Sequence, residues 1–227
     1  MVHFLTDEAD VSVPFWVVDL ESFRRWADSD DVPEKSRILY LKGEVWVDMG
    51  TQQVFTHVEV KTEFTVVLGG LAKSLGLGKF FGDGLLLSNV TADYVGVPDG
   101  VFLSTETLQS DRVRWLESER DGGCVEVEGT PDLVLEVVSR SSVHKDTVLL
   151  RKAYWEVGIP EYWLVDARQE PLKFDILRHT AKGYTATRKQ DGWVKSIVFG
   201  KAFRLTQRPG IAGHPEFSLE ERCSPCW

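Results

Sequence analysis

One stretch, GTPDLVLEVVS at residues 129–139, constrains the fold of this chain more than any other. It begins with glycine and proline and is then apolar from Leu133 to Val138, apart from one carboxylate, Glu136. A short β-branched run between turn residues predicts a central strand that is buried on both faces. A charged Glu136 in that strand costs several kcal/mol unless a cation or hydrogen-bond donors meet it. It is therefore either a metal ligand or a core residue paired with a structural Arg, and the strand alone favours neither.

The segments after this strand predict a crossover unit. Residues 143–157 have the period of a helix that ends at Gly158 and Pro160, and Glu161–Asp166 is a second buried apolar run. A strand, a helix and a strand in this order form a right-handed unit with two parallel strands. The sequence therefore predicts one mixed α/β domain, which we place at residues 1–208, followed by a C-terminal tail at 209–227.

Local patterns predict the elements nearer the N-terminus. A helix over Leu20–Ala27 has Asp19 in position to cap it. A long helix covers residues 53–75 and has Val54 and Val58 on its inner stripe. Residues 105–128 are polar and indicate irregular structure. A hairpin is predicted from two further strands, Arg37–Leu41 and Glu44–Asp48.

The composition is that of a soluble globular protein. Of the 227 residues, 43% are hydrophobic and 27% are charged, which is enough for one large core. No apolar run is long enough to span a membrane and the N-terminus does not resemble a secretory signal, so we expect a cytoplasmic protein. The three cysteines form no disulfide framework, and Cys223 and Cys226 fall in what we expect to be a frayed tail.

The net charge of −9 argues against a general nucleic-acid binder. The charge is uneven, because residues 171–208 contain nine Lys and Arg but only two Asp. These basic residues either lie in exposed rows of strands, where Lys and Arg also protect edges, or form one wall of a polyanion groove. We slightly favour the first interpretation.

Four pieces of sequence occur in an order that resembles one family. They are KGE at 42–44, VPD at 97–99, PDLVLEVVS at 131–139, and a Tyr154 that precedes GIPEYWLVD at 158–166. Together they resemble the Uma-two (Uma2) family of endonucleases, which belongs to the restriction-endonuclease-like, PD-(D/E)XK-type nucleases. The resemblance extends over most of the chain, from the first helix to the strands near residue 205.

The resemblance implies a restriction-endonuclease-like mixed sheet flanked by helices, hydrolysis of DNA phosphodiesters, and a homodimer. It also implies a carboxylate site for Mg²⁺, with Mn²⁺ as an alternative. Mg²⁺ binds oxygen ligands and keeps several waters, so two protein carboxylates suffice. Asp99 and Glu136 are the implied metal ligands, because carboxylates on adjacent strands, about 4.8 Å apart, can share one ion.

The candidate residues also have structural interpretations. Asp99, between Pro and Gly, could be a turn residue. Glu44 matches the acidic position near the N-terminus of the family and is a candidate catalytic residue, or else an exposed hairpin Glu. His57 could contact phosphate, although a histidine at the start of a helix more often faces solvent or caps the helix. Asp132 is too close to Glu136 for the usual spacing of the motif, so we interpret it as structural.

The lysine of the motif is the main departure from the family. The standard position, two residues after Glu136, is Val138, and the helix position used by many members is Leu150. Lys145, near the start of the helix, could swing towards Glu136 and is our candidate for the base that orients the attacking water. Asp146 lies on the inward arc of the first turn, where it caps the helix or approaches the metal.

Three functions are compatible with the sequence. The first is an Mg²⁺-dependent endonuclease acting on DNA, and the second is a catalytically inactive nucleic-acid-binding or dimeric interaction module of the same fold. The third and weakest is a metal-dependent hydrolase of a small phosphate ester, which a narrow pocket with no basic wall would indicate. Eight tryptophans add to the expectation of a homodimer, because aromatic residues are enriched at interfaces.

Overall fold

The computed structural model of the protein describes residues 2–4, 11–32, 37–48, 50–118 and 122–223. Within these ranges the chain forms mixed α/β structure with three sheets and four α-helices, which confirms the predicted fold class. None of the helices in these ranges is long and apolar enough to cross a membrane.

A six-stranded sheet forms the centre of the fold. Leu133–Val137 and Glu161–Asp166 are neighbours in it and run parallel, as the predicted crossover unit requires. The other strand pairs described in this sheet are antiparallel. In spatial order its strands are β13 (Gly183–Ala186), β12 (Lys173–Thr180), β11 (Glu161–Asp166), β10 (Leu133–Val137), β7 (Gly100–Ser104) and β4 (Gly78–Gly82).

A seven-stranded sheet shares an apolar core with the central sheet. The predicted hairpin lies in it, and its turn at Lys42 and Gly43 has positive φ at both residues, as a tight two-residue turn requires. In spatial order its strands are β1 (Val2–Phe4), β3 (Glu44–Asp48), β2 (Arg37–Leu41), β6 (Tyr94–Gly96), β5 (Leu86–Asn89), β9 (Cys124–Gly129) and β8 (Val113–Glu117).

Four α-helices flank these sheets, and two of them begin with a π-helical turn. Asp19 caps the first helix as predicted, because its Oδ1 accepts a 2.8 Å hydrogen bond from the Ser22 N–H. The second helix ends at Gly76, which has a left-handed φ of +64°. The helices are α1 (Leu20–Ala27), α2 (Val60–Leu75), α3 (Thr105–Gln109) and α4 (Leu150–Val157), with π-helical turns at Val54–Glu59 and Lys145–Leu149.

The prediction of an inner stripe at the start of the long helix is wrong. Val54 and Val58 are 60% and 39% exposed, whereas Lys61 is only 6% exposed. A π-helical turn has i→i+5 hydrogen bonds, so it holds more residues than an α-helical turn and shifts the phase of the helical residues after it. The pattern read with a constant period therefore places the wrong side chains inside.

The prediction of irregular structure over residues 105–128 is also wrong, because α3, β8 and β9 lie there. The carboxylates of β9 obscure its alternation of apolar and polar residues, which is the pattern that predicts a strand. Glu126 is buried and accepts a 2.8 Å hydrogen bond from Nε of Arg24 on α1, and Glu128 pairs with Arg24 and Arg114. These partners lie far away in sequence, so the charges do not mark a loop.

The prediction of a frayed tail after residue 208 is wrong for the segment that ends at Cys223. It forms a strand that pairs with the preceding one and buries Phe217 and Leu219. Cys223 ends this strand, and Cys226 lies outside the described residues. The strands of this third sheet are β14 (Lys189–Gln190), β15 (Trp193–Lys195), β16 (Lys201–Pro209) and β17 (Pro215–Cys223).

The last strand also changes the interpretation of the basic segment. Three basic residues on β16 form ion pairs with glutamates on β17, two of them directly across the ladder and one diagonally. They therefore lie in a row of cross-strand pairs, and this row is not a basic wall. The pairs are Lys201–Glu221, Arg204–Glu220 and Arg208–Glu216.

Candidate active site

Strand β10 directs Glu136 towards a small cavity. Side chains alternate across a strand, and Val134, two residues earlier, packs in the core shared with α4. Glu136 therefore points to the α4 side, where Oε1 accepts a 2.6 Å hydrogen bond from the Tyr154 hydroxyl. Its side chain is only 3% exposed.

Asp99 lies beside Glu136, at the residue before β7. Its Oδ2 accepts a 2.8 Å hydrogen bond from the N–H of Val137, the residue after Glu136. The carboxylate is thus fixed against β10 itself, so Asp99 does more than form a turn. Asp99 and Glu136 line the same cavity, so the structure brings together the two carboxylates named from the sequence.

The π-helical turn before α4 supplies an amine and a third carboxylate. The Lys145 Nζ lies 2.6 Å from Oδ1 of Asp146 and 3.9 Å from Oε2 of Glu136. Asp146 is 1% exposed, and its Oδ2 also accepts a hydrogen bond from the Ser142 hydroxyl. Lys145 therefore reaches the cavity, and Asp146 orients it there.

The same turn explains how a lysine at this position can face inward. The N–H of Leu150 bonds to the carbonyl of Lys145, five residues earlier, and both residues line the cavity. In a regular α-helix, positions five apart point in different directions, but a π-helical turn brings them to one side. Lys145 thus lies on the same side of the helical segment as position 150, where many family members carry their lysine. Val138 and Leu150 are themselves buried.

The first π-helical turn places His57 on the other side of Asp99. The histidine is 3% exposed, so the expectation of a solvent-facing residue is wrong. Its Nε2 lies 3.7 Å from Oδ2 of Asp99, and its Nδ1 lies 3.1 Å from Oε1 of Gln52. Burial lowers the pKa of His57, although Asp99 opposes that effect, so the neutral ring is favoured.

Lys61 on α2 is a site residue that was not predicted from the sequence. Its Nζ lies 3.4 Å from Oδ1 of Asp99 and 2.6 Å from Oδ2 of Asp83. A signal was present, since Lys61 stands three residues before Phe64 and seven before Leu68 on the buried stripe of the helix. A lysine on an apolar stripe needs a buried partner.

The rim of the cavity is formed by the hairpin of β2 and β3. Arg37 and Asp48 line it, with their charged groups 3.9 Å apart. Glu44, at the start of β3 beside the turn, is not among the described residues that line the cavity. Asp48, on the same face of the strand, lines the cavity instead.

Burial and mutual repulsion dominate the electrostatics of the cavity. Burial raises the pKa of Glu136 well above its usual value, and Asp146 and Asp99 add to the increase while Lys145 opposes it. Burial likewise raises the pKa of Asp146. Burial disfavours the charged form of Lys145, but the attraction of Asp146 and Glu136 outweighs this and raises its pKa. The lysine is therefore a stable cation.

The residues present fit a divalent cation. The acids at the site outnumber the cations, so the ionised site has excess negative charge. The acids are Asp48, Asp99, Glu136 and Asp146, and the cations are Arg37, Lys61 and Lys145. Among the described residues, no group of three or more His, Cys, Asp or Glu is placed to hold an ion by itself. Mg²⁺ keeps several waters, so the two carboxylates of Asp99 and Glu136 would suffice as its protein ligands.

Asp132, by contrast, lies outside this site. Its Oδ2 accepts a 2.6 Å hydrogen bond from the N–H of Ser104, and its Oδ1 accepts from Thr107 and Arg112 at 3.0 and 3.1 Å. It joins the start of β10 to α3, which supports the structural role given to it.

The mixed sheet flanked by helices, with Asp99 and Glu136 at one cavity, matches the nuclease-like fold expected from the sequence. The model of the Uma2 family, described as "Putative restriction endonuclease", matches residues 20–206, so the chain belongs to this family. The predicted family is therefore confirmed.

A solved structure has a similar fold. It is described as a "putative nuclease belonging to DUF820" from Anabaena variabilis, and it superposes with a TM-score of 0.59 at 17% sequence identity. The match covers 80% of this chain and 90% of that chain. At this identity the likeness shows the fold alone. The comparison with curated proteins found no match to this chain.

Proposed function

We propose that the protein is a divalent-metal-dependent endonuclease that hydrolyses phosphodiester bonds in DNA. The observation that carries the proposal is the convergence of Asp99, Glu136 and Lys145 on one buried cavity with excess negative charge. Membership of the Uma2 family supports the same class of reaction. The restriction-endonuclease-like class generally uses divalent metals, and we propose Mg²⁺, with Mn²⁺ as the alternative.

Asp99 and Glu136 are the residues that would hold the cation. When bound, it supplies charge neutralisation at the scissile phosphate and a lowered pKa for a water molecule. Tyr154 donates to Oε1 of Glu136 and leaves Oε2 for the cavity, so it is a positioning residue. The Val137 N–H fixes Oδ2 of Asp99 in the same way.

Lys145 acts as a charged hydrogen-bond donor. Its ammonium group lies against Asp146, which favours the protonated form, so we do not assign it the role of a proton-accepting base. From its position 3.9 Å from Glu136 it can hold a water molecule or a phosphate oxygen at the mouth of the site. Asp146 in turn keeps the lysine in place.

The cavity is narrow, as expected for a small substrate, but the basic residues around it favour a polymer. Its volume is about 40 Å³, which is room for roughly three water-sized groups. The scissile phosphate must then be presented at the mouth while the rest of the substrate stays outside. Arg37 at the rim, together with the exposed Arg140 and His144 after β10, would contact the nucleic-acid backbone. These basic groups disfavour the small phosphate ester.

The test is cleavage of supercoiled plasmid and linear duplex DNA in Mg²⁺, Mn²⁺ or EDTA. Asp99→Asn should reduce cleavage to background, since Asn keeps the size and the acceptor for Val137 but loses the charge. Glu44→Gln is the matched control, a neutralised acid outside the cavity, and should cleave like the wild type. Metal-dependent cleavage that survives Asp99→Asn would show that the activity belongs to another site or a contaminant.

The second candidate is a non-catalytic DNA-binding module of the same fold. One observation favours it: both positions at which this class of nuclease carries its lysine, 138 and 150, hold buried apolar residues. Fluorescence anisotropy with labelled DNA separates the two candidates. Binding without cleavage in either metal would establish the module.

A further inference from the structure

Lys61 is a buried lysine at the site, and the proposed mechanism does not use it. It lies in the first turn of α2 with its side chain 8% exposed. The ammonium group stands between two carboxylates, 2.6 Å from Asp83 and 3.4 Å from Asp99. Burying a cation is unfavourable unless it is paired, so a lysine placed here must be held by these two acids.

The loop that carries Asp83 is built to reach this lysine. The Asp83 N–H donates a 3.1 Å hydrogen bond to the carbonyl of Asp99, so the two acids are tied through the backbone. Gly82 allows the loop to approach α2 closely, because a Cβ at this position would lie 2.2 Å from Oγ1 of Thr65. The position of Asp83 relative to Lys61 is thus fixed by contacts that do not involve the two charges.

The two partners of Lys61 differ in exposure and in distance. The Asp83 side chain is 46% exposed and makes the shorter contact, whereas the Asp99 side chain is 7% exposed and makes the longer one. If Asp99 turns to another cation, Lys61 still has a carboxylate at hydrogen-bonding distance. The lysine can therefore release Asp99 without being left as an unpaired buried charge.

We propose that Lys61 is a positioning residue that serves as the counter-ion of Asp99 while no metal is bound. A divalent cation displaces it from Asp99, and Asp83 then carries its charge. This inference rests on the proposed function, since it treats Asp99 as a metal ligand. It predicts opposite effects on metal affinity when the lysine and its second partner are changed.

The opposite signs result from competition. Lys61→Met removes the cation that competes for Asp99, so a divalent ion should bind more tightly. Asp83→Asn leaves Lys61 with Asp99 as its only carboxylate partner, so the ion should bind more weakly. Simple charge effects predict the same two signs, so the double variant decides. If Asp83 acts through Lys61, Asp83→Asn has no further effect in the Lys61→Met background, whereas a simple charge effect weakens binding equally in both backgrounds.

The experiment is calorimetric titration of the full chain with MnCl₂ alone. We expect about tenfold tighter binding for Lys61→Met and about tenfold weaker binding for Asp83→Asn, the range for neighbouring coupled residues. Lys73→Met, an exposed lysine on the same helix, is the control and should bind like the wild type. Lys61→Arg should return the affinity towards the wild-type value.

Asn is chosen at position 83 because it tolerates the positive φ of +47° and keeps an acceptor for the N–H of Gly84. Melting curves give a readout that is independent of activity. Lys61→Met should melt lower than the wild type in EDTA and gain more from Mn²⁺, since tighter binding to the folded state stabilises it more.

Each outcome supports or overturns the inference. Affinity shifts of the same sign in the two variants, or an unchanged affinity in Asp83→Asn, overturn the inference and leave the proposed function standing. Equal weakening by Asp83→Asn in the wild-type and Lys61→Met backgrounds does the same. A wild type that does not bind Mn²⁺ overturns both. If Lys61→Met does not fold, Asp83→Asn and Lys61→Arg decide alone, because both preserve a cation at position 61.

Discussion

Replacing Glu136 by Gln tests whether the buried carboxylate serves a metal or the fold. The substitution keeps the size and retains an oxygen that accepts from Tyr154, 2.6 Å away in the wild type. It also leaves Lys145 paired, because Asp146 is its closer partner at 2.6 Å. No buried cation is therefore stranded, and we expect the metal-free fold to be as stable as the wild type or more stable.

The magnitude is the balance of opposing contributions. The attraction between Lys145 and Glu136 across 3.9 Å is about 4 kcal/mol at an effective dielectric constant of 20. Burial and the two neighbouring acids oppose it and prevail, since the pKa of Glu136 is raised. We therefore expect the free energy of unfolding of Glu136→Gln in EDTA to equal that of the wild type or to exceed it by up to about 2 kcal/mol, the ordinary size of a single-substitution effect.

Thermal melting in EDTA and in Mg²⁺ measures this gain. For a protein of this size about 1 kcal/mol shifts the melting temperature by about 2–4 °C, so Glu136→Gln should melt up to about 8 °C higher in EDTA. Mg²⁺ should raise the melting temperature of the wild type and have no effect on the variant.

Glu161→Gln on the neighbouring strand is the matched control. Glu161 is fully buried, and its oxygens accept from Trp163, Ser196 and the Ile197 N–H at 2.9, 2.7 and 2.6 Å. The amide of Gln would face these donors, so this variant should lose about 1.5–3 kcal/mol. An equal loss in Glu136→Gln in EDTA, with no Mg²⁺-dependent shift of the wild type, would refute the metal site.

Three further predictions concern other parts of the chain. Lys145→Ala should abolish cleavage. The double variant with Leu150→Lys should restore part of it, because the π-helical turn brings both positions to one side. Full cleavage by Lys145→Ala alone would show that another residue donates the hydrogen bond. Asp166→Asn should lower the free energy of unfolding by about 0.5–1 kcal/mol at neutral pH. Hydrogen bonds from Arg168 lower the pKa of Asp166 below 3.8. The stabilisation is therefore present above pH 3.8 and is lost as the pH falls through the lowered pKa. Urea unfolding of the wild type and Asp166→Asn at several pH values measures it. A difference that persisted at low pH would contradict this cause. A homodimer in the cytoplasm also stays a prediction, and a monomer mass in light scattering at micromolar concentration would count against the dimer.

The elements that the sequence predicts correctly have local causes. Asp19 caps α1 through Ser22, three residues away, and the turn of the hairpin needs only Lys42 and Gly43. The parallel pair of β10 and β11 is predicted by two apolar runs on either side of one helical segment. The two carboxylates of the site were named through the family resemblance, because Asp99 alone reads as a turn residue and Glu136 alone as either a ligand or a paired core acid.

The elements that were missed depend on partners distant in sequence. The charged pattern of β9 indicates a loop when the sequence is read alone. In the structure, Glu126 accepts a hydrogen bond from Arg24, about a hundred residues earlier in the chain. Likewise β17 has glutamates that suggest a polar tail, yet they pair across the ladder with basic residues of β16. A sequence shows the charge but not its partner, so a paired strand and a solvated loop look alike.

The lysines of the site show why its amines were harder to predict than its acids. Lys61 comes directly after one π-helical turn and Lys145 begins the other. The direction of a helical side chain depends on counting residues from a known start, and one added residue per turn rotates that count by about 100°. With a constant period, Lys61 falls on the predicted inner stripe, three residues after Val58 and three before Phe64, yet nothing in the sequence names its partners. Lys145 falls on the far side of its helix and becomes a candidate only because it lies near the start. Glu136 does not have this problem, because side chains in a strand alternate with a period of two. A single carboxylate in a buried strand is plainly the residue that needs a partner.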